Sequence, residues 1–534
     1  MLEMRPLHLT GHDLKPSDFY EAVLGRRTVR LAREAVAKMR RSRGVVEKML
    51  SEHRIVYGIT TGFGKLADQK ISEGEIRQLQ ANLVRSHACG IGPPLSEAQT
   101  RGIILLRANV LAAGHSGVRP VVVERLIEML NRAVHPVIPS RGSVGASGDL
   151  IPLAHLAQLL IGEGEAFVNG KRLPGRRALR QAGIAPIILE AKEGLALVNG
   201  TQAALSLGLL SLQGAERLAE SADVAGAMSL EALMGTPTAF DERIQRLRPY
   251  PGQKNVARKI RALLARSEIR ASHIACSRVQ DPYSLRCMPQ VHGAVRDAID
   301  HVRGVLTIET NSITDNPLVF PESESILAGG NFHGHPIALV LDLLAMALTH
   351  LGVISERRIA QLVDPDLIDL PRFLTRRPGL HSGLMMPQVA AAALASECKL
   401  LAHPASVDSI PTSANQEDYV SMAMGSALKL DQIVSNVEAI LAIELIAAAQ
   451  GIDFHAPLKP GEGVAEALKR LRTKVPPLEE DRSLRKEIET VSRMIRDGVS
   501  LFLIIVGAYC NTPLIGLIRI FIPPLQKNGE EKRN

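Results

Sequence analysis

The chain is predicted to be mainly α: a long helical bundle with an N-terminal globular head and few short strands. Composition and periodicity carry that expectation. Of 534 residues, 46% are apolar, only 3% are aromatic and none is Trp. The core must therefore be built from Leu, Ile, Val and Ala, which favours packed helices over a sandwich. Residues 418–450 contain no Pro and one Gly, with Ile433, Val437, Ile440, Leu441 and Leu445 on one helical face. Residues 336–359 are apolar nearly all round, through Leu339, Leu343, Met346, Leu351 and Ile354, as in a helix buried inside a bundle.

The elements follow in order. Ser17-Asp18 is a candidate N-cap for a short helix over 19–24 that Gly25 stops, and a second helix is expected over 31–50. Residues 55–64 carry three glycines and break the pattern, which predicts a mobile loop; they lack the strand–turn–helix frame of a phosphate cradle. Helices over 98–113 and 121–133 form a pair split by 114–120, and another helix begins near Leu150. The expected division is a head over 1–200, a long-helix bundle over 201–450 and a C-terminal helical segment over 451–534. Bundles of that length present lateral faces that often meet other subunits.

Charge and cysteine use exclude several function classes. The net charge of +8 comes without a basic run interleaved with aromatics, so a nucleic-acid partner is not expected. The five cysteines, Cys89, Cys276, Cys287, Cys398 and Cys510, are scattered and form no C-x-x-C. That points to a reducing, cytoplasmic setting and against a structural zinc site, and no metal ligand is singled out. The N-terminus has no apolar core of signal-peptide length. Residues 499–518 are uncharged and approach the roughly 20 residues of a membrane span. Gly507, Asn511, Pro513 and Gly516 interrupt them, so a packed or partner-covered tail is expected ahead of a membrane anchor.

The most informative stretch is Gly142-Ser143-Val144-Gly145-Ala146-Ser147-Gly148-Asp149-Leu150. The Gly148 nitrogen reaches the Ala146 carbonyl carbon only where the chain bends very tightly, and Gly145 and Gly148 lack the Cβ that would block the bend. Ring closure with loss of water, then loss of a second water from Ser147, would leave an electrophilic methylidene-imidazolone. Taken alone, the stretch also reads as a glycine-rich turn ahead of a helix.

Longer motifs tip that balance. Ser143 to Leu156 (SVGASGDLIPLAHL), Val198-Asn199-Gly200-Thr201-Gln202, Gln280-Asp281-Pro282-Tyr283-Ser284-Leu285-Arg286, Gly330-Asn331-Phe332-His333 and Asn415-Gln416-Glu417-Asp418 resemble the aromatic amino acid ammonia-lyases in order and spacing, from about residue 10 to about residue 500. The resemblance implies a prosthetic group, methylidene-imidazolone, formed from Ala146, Ser147 and Gly148 without external cofactor. Ser86-His87 stands where phenylalanine lyases carry an apolar pair, and Glu417 where they carry Gln. Both suit a ring that donates and accepts hydrogen bonds. The implied reaction is elimination of ammonia from L-histidine to give trans-urocanate; phenylalanine or tyrosine lyase, aminomutase and a non-catalytic scaffold are the alternatives.

The resemblance also implies roles. Arg286 binds the substrate carboxylate, Tyr283 removes the β-proton, and Tyr57 lies near the amine on a lid loop. Asn199 and Gln280 hydrogen-bond the prosthetic ring and its neighbours. Phe332 packs beside the substrate, and His87 and Glu417 hold its imidazole. A homotetramer with shared sites is implied. Two departures stand beside these motifs: Tyr419 where His is expected and His335 where Glu is expected. The ending after about residue 500 does not resemble the family's.

Overall fold

A computed structural model describes residues 5–25, 27–273, 279–364 and 370–498. Among these are nineteen α-helices and nine strands, none of the strands longer than four residues. The predicted class holds. The apolar tail lies outside the described residues.

Three helices make the bundle's spine: Gln202–Ala232, His335–Val363 and Ala423–Asp453. Each packs along the other two, with Met288–Thr310 laid against Gln202–Ala232 and His335–Val363. Small residues set the spacing. A Cβ on Gly208 would stand 2.8 Å from Leu341, and one on Gly226 would overlap the Met288 sulfur. Leu207, Leu209, Leu344, Leu348, Leu441 and Leu445 are fully buried in this core, and each such side chain contributes about 2 kcal/mol. His335–Val363 and Ala423–Asp453 are long and apolar enough to cross a membrane, but 61% and 78% of their apolar windows are buried inside the protein. They are core helices.

One polar knot crosses the spine. The fully buried Arg358 and Glu444 pair through two hydrogen bonds of 2.5 and 2.9 Å. Ser229 and Ser355 donate to the same carboxylate, and Arg358 also donates to the Ser284 carbonyl at 3.4 Å. A buried ion pair is tolerable when its remaining lone pairs are satisfied in this way.

The head wraps the helices Arg33–Ser51, Ile76–His87, Glu97–Ala112, Pro120–Asn131 and Leu150–Leu160 around short strands. Leu7–Leu9 pairs in parallel with Val29–Leu31, and Glu165–Val168 pairs antiparallel with both Val134–Pro136 and Lys171–Pro174. Ser96 starts Glu97–Ala112 with a capping box closed by Gln99. One main apolar core draws on residues from Leu7 to Ile495, and a satellite that includes Val46, Met49, Ile59, Ile76 and Val319 anchors the glycine-rich loop.

Three expectations need correction. The first helix is Pro16–Val23, capped at Lys15 rather than Ser17-Asp18, because proline's fixed φ suits the first helical position. The last spine helix starts at Ala423 rather than 418. Met422 takes a left-handed φ of +56° and gives its N–H to the Val144 carbonyl, so the chain turns before it coils. Finally, His335–Val363 is not covered all round: Leu339 and Met346 face outward.

Candidate active site

The tripeptide lies between the strand Pro139–Arg141 and the helix Leu150–Leu160. Gly145 and Gly148 both take positive φ, +73° and +77°. A Cβ at Gly148 would overlap the Gly200 carbonyl, and one at Gly145 would overlap the Ser421 hydroxyl. Ala146 and Gly148 form a bridge across Ser147, and Gly148 bridges to Gly200. Asp149 locks this bend. Its N–H donates to the Gly200 carbonyl at 2.6 Å, while its carboxylate accepts from the Ala204 N–H at 2.8 Å. Burial outweighs these donors and pushes the Asp149 carboxyl up to about 6.

Ser147 points from the bend at Glu417, and its hydroxyl donates to Oε1 at 3.0 Å. The other carboxylate oxygen accepts from Thr412 at 2.9 Å and Ser413 at 2.6 Å. Thr412 and Glu417 also bridge as an antiparallel pair around Ser413, Ala414 and Asn415, which all have left-handed φ of 50–62°. Such residues cost about 1–2 kcal/mol each. Strain is thus concentrated in the turn that aims Glu417.

His87 is the last residue of the helix Ile76–His87. Its Nδ1–H donates to the Leu83 carbonyl at 2.9 Å, beside a bond of 3.1 Å from Ser86 to the same oxygen. The pair therefore satisfies a helix-end carbonyl, and the bond leaves Nε2 with a lone pair in the neutral ring. Burial lowers the His87 pKa more than the nearby Glu417 charge raises it. Asn199 gives Nδ2–H to the Asn316 carbonyl at 3.0 Å, and its buried Oδ1 has no partner. The donor expected to face a ring oxygen is thus engaged elsewhere.

The remaining predicted residues are not joined to this group. Among the described residues, no hydrogen bond or ring contact links Tyr57, Gln280, Tyr283, Arg286 or Phe332 to Ser147 or Glu417. The Tyr57 hydroxyl accepts from the Gly64 N–H at 3.2 Å, and the Gly64–Leu66 turn packs against Ser413–Asn415 beside Glu417. Tyr283 is 71% exposed, with the Arg286 guanidinium 4.7 Å above its ring. Gln280 is exposed and Phe332 half-buried. The two departures meet each other: His335 and Tyr419 lie 5.9 Å apart, both against His333, which stacks flat on Tyr419.

Sequence reasoning missed Thr412, Ser413 and Asn316, and it quoted Gly200 and Asp149 within motifs without giving either a role. Pro411-Thr412-Ser413-Ala414-Asn415 is a turn-forming run, and Asp149 precedes a helix.

Comparison with known proteins shows the family. Residues 14–473 match the aromatic amino acid lyase family. The chain is 55% identical over 508 residues to a histidine ammonia-lyase of Koribacter versatilis, covering 93% of this chain and 98% of that one. It is 52% identical over 490 residues to one of Myxococcus xanthus, covering 92% and 96%. The fold superposes on the crystal structure of histidine ammonia-lyase from Trypanosoma cruzi with a TM-score of 0.88 at 42% identity, covering 99% of this chain and all of that one. Tyrosine aminomutase from Streptomyces globisporus also gives 0.88, at 37% identity over 96% of this chain and all of that one.

Proposed function

From the premise that this chain belongs to the aromatic amino acid lyases, we propose that it eliminates ammonia from L-histidine to give trans-urocanate. The observation that carries the reading is the hydrogen bond from Ser147, at the apex of a bend only glycines allow, to Glu417, with neutral His87 close by. Neither partner suits a plain phenyl ring: both present polar atoms that an unsubstituted ring leaves unpaired, at a cost of about 1–3 kcal/mol each.

The tight bend at Gly145 and Gly148 fits a ring formed from Ala146, Ser147 and Gly148. Once formed, that methylidene-imidazolone would supply an electron-poor carbon open to attack by the substrate's amine or by its ring. The chain's own residues do the rest. Glu417 and His87 hold the imidazole, the carboxylate accepting from its N–H. Arg286 takes the substrate carboxylate, Tyr283 removes the β-proton, and Tyr57 sits near the amine while its loop excludes water. Asn199 and Gln280 orient the ring, and Phe332 packs the substrate. The exposure of Tyr283 supports a homotetramer whose sites draw on several chains. The head over 1–200, the bundle over 201–450 and a cytoplasmic setting belong to the same reading.

Purified protein tested with histidine, phenylalanine and tyrosine decides the substrate. Urocanate and ammonia from histidine, with little turnover of the others, is the expected result. Preferred turnover of phenylalanine or tyrosine, or a β-amino acid as main product, would overturn it. An intact mass two waters below the translated sequence is expected alongside.

A further inference from the structure

We infer that Arg107 is a positioning residue for closure of the prosthetic ring, holding the Asn199–Gly200 turn that sets Gly148 against Ala146. This rests on the function proposed above and concerns how its electrophile is made. Arg107 lies in the helix Glu97–Ala112 and is fully buried, outside every role assigned so far. Its guanidinium donates to the Asn199 carbonyl at 2.8 Å, to Gln202 Oε1 at 2.6 Å and to the Ala196 carbonyl. Three acceptors within seven residues fix the end of the helix Glu193–Val198 and the start of Gln202–Ala232 around one planar fork. A second strut comes from behind. Lys192 pairs with Asp315 at 2.7 Å, Asp315 accepts from the Asn316 N–H, and the Asn316 carbonyl takes the Asn199 side chain.

The turn so held is the surface on which the bend is built. The Gly200 carbonyl accepts from the Asp149 N–H at 2.6 Å, and Gly200 bridges to Gly148. Gly200 itself has φ of +150°, and a Cβ there would stand 2.5 Å from the guanidinium, so turn and arginine fit only as glycine against fork.

Ring closure needs this placement. The Gly148 nitrogen forms a bond to the Ala146 carbonyl carbon as its proton passes to the carbonyl oxygen. That hydroxyl leaves as water with the Ser147 N–H proton, giving the C=N bond. The Ser147 hydroxyl and Cα proton then leave as the second water. No oxidant or reductant takes part. Backbone amide nitrogen is a weak nucleophile, so the rate depends on the approach distance, and a misplacement of about 1 Å costs on the order of a hundredfold.

The test is the intact mass of soluble, helical protein followed over time after refolding. Wild type is expected to lose two waters; if it never does, the proposed function fails and not this inference. Arg107→Met is expected to lose them at least tenfold more slowly, leaving a large unconverted fraction, with Arg107→Lys intermediate because it keeps the charge and fewer bonds. A merely structural arginine predicts otherwise: a lower melting temperature, but water loss at the wild-type rate in the chains that fold. That result would overturn the inference. If Arg107→Met gives no soluble protein, Gln202→Met removes one acceptor and leaves the guanidinium. Slowed water loss is again expected, and an unchanged rate again overturns it.

Discussion

At Ser147 and Glu417 the proposed chemistry rests on a few atoms whose removal is easy to read. Ser147→Ala removes the carbon–oxygen bond from which the methylidene forms, while the bend itself stays permitted by Gly145 and Gly148. The variant is expected to keep its helical circular dichroism and lose turnover to background; elimination within a few-fold of wild type contradicts the proposed electrophile. Glu417→Gln and His87→Phe test substrate choice. A hydrogen bond to a carboxylate is worth about 1.5–3 kcal/mol and one to a neutral imidazole about 0.5–1.5 kcal/mol. Glu417→Gln is therefore expected to lower kcat/KM for histidine by about one to two orders of magnitude and His87→Phe by up to about tenfold. Steady-state kinetics on histidine checks this. Ser147 and Glu417 were legible because each sits inside a quoted motif, and His87 because Ser86-His87 stands where phenylalanine lyases carry an apolar pair. Thr412 and Ser413, which hold Glu417, were not, because they act through three successive left-handed residues, one of them Ala414. Alanine gives no sequence signal for that conformation.

Asp149 shows what an element requires at its ends. Two helices, Leu150–Leu160 and Gln202–Ala232, begin around this one carboxyl, whose group is pushed from an ordinary value near 3.9 up to about 6 by burial. A folded-state pKa above the unfolded one means the native state holds its proton more tightly. The associated stability is therefore fully present below about pH 4 and lost as the pH rises through about 6, by up to about 3 kcal/mol. Asp149→Asn, which keeps an acceptor for the Ala204 N–H but cannot ionise, is expected to flatten this part of the profile. Melting temperatures of both proteins from pH 4 to 7 check it; parallel curves contradict the assignment. Periodicity located the long helices well because a core face repeats along many turns. It failed where tertiary bonds rather than propensity set a boundary, as where Met422 bonds Val144 and delays the helix to Ala423.

On the scale of the whole molecule, periodicity reports which side chains avoid water without saying what covers them. Leu339 and Met346 fit the helical stripe as well as Leu351 does, yet they face outward in one chain, as do Met386 and Val389 on the neighbouring helix Met385–Leu401. Tyr283 and Arg286 likewise belong to a site motif but meet only each other among the residues assigned to the site. Both facts are accounted for if a second chain covers the apolar face and brings its own Tyr283 to the Ser147 of the first. Complementation then follows. Ser147→Ala and Tyr283→Phe are each expected to be inactive alone, since one lacks the electrophile and the other the base. Coexpressed with different tags and purified through both, the mixed tetramers contain sites in which Ser147 and Tyr283 come from different chains. With random mixing, about a quarter of those sites carry neither lesion. Mixed tetramers are therefore expected to regain on the order of a quarter of wild-type activity, set by the ratio of the two chains in the intact-mass spectrum. Background activity in tetramers shown to contain both chains would mean that one subunit builds each site by itself, leaving the exposed Tyr283 to be explained by movement within that subunit.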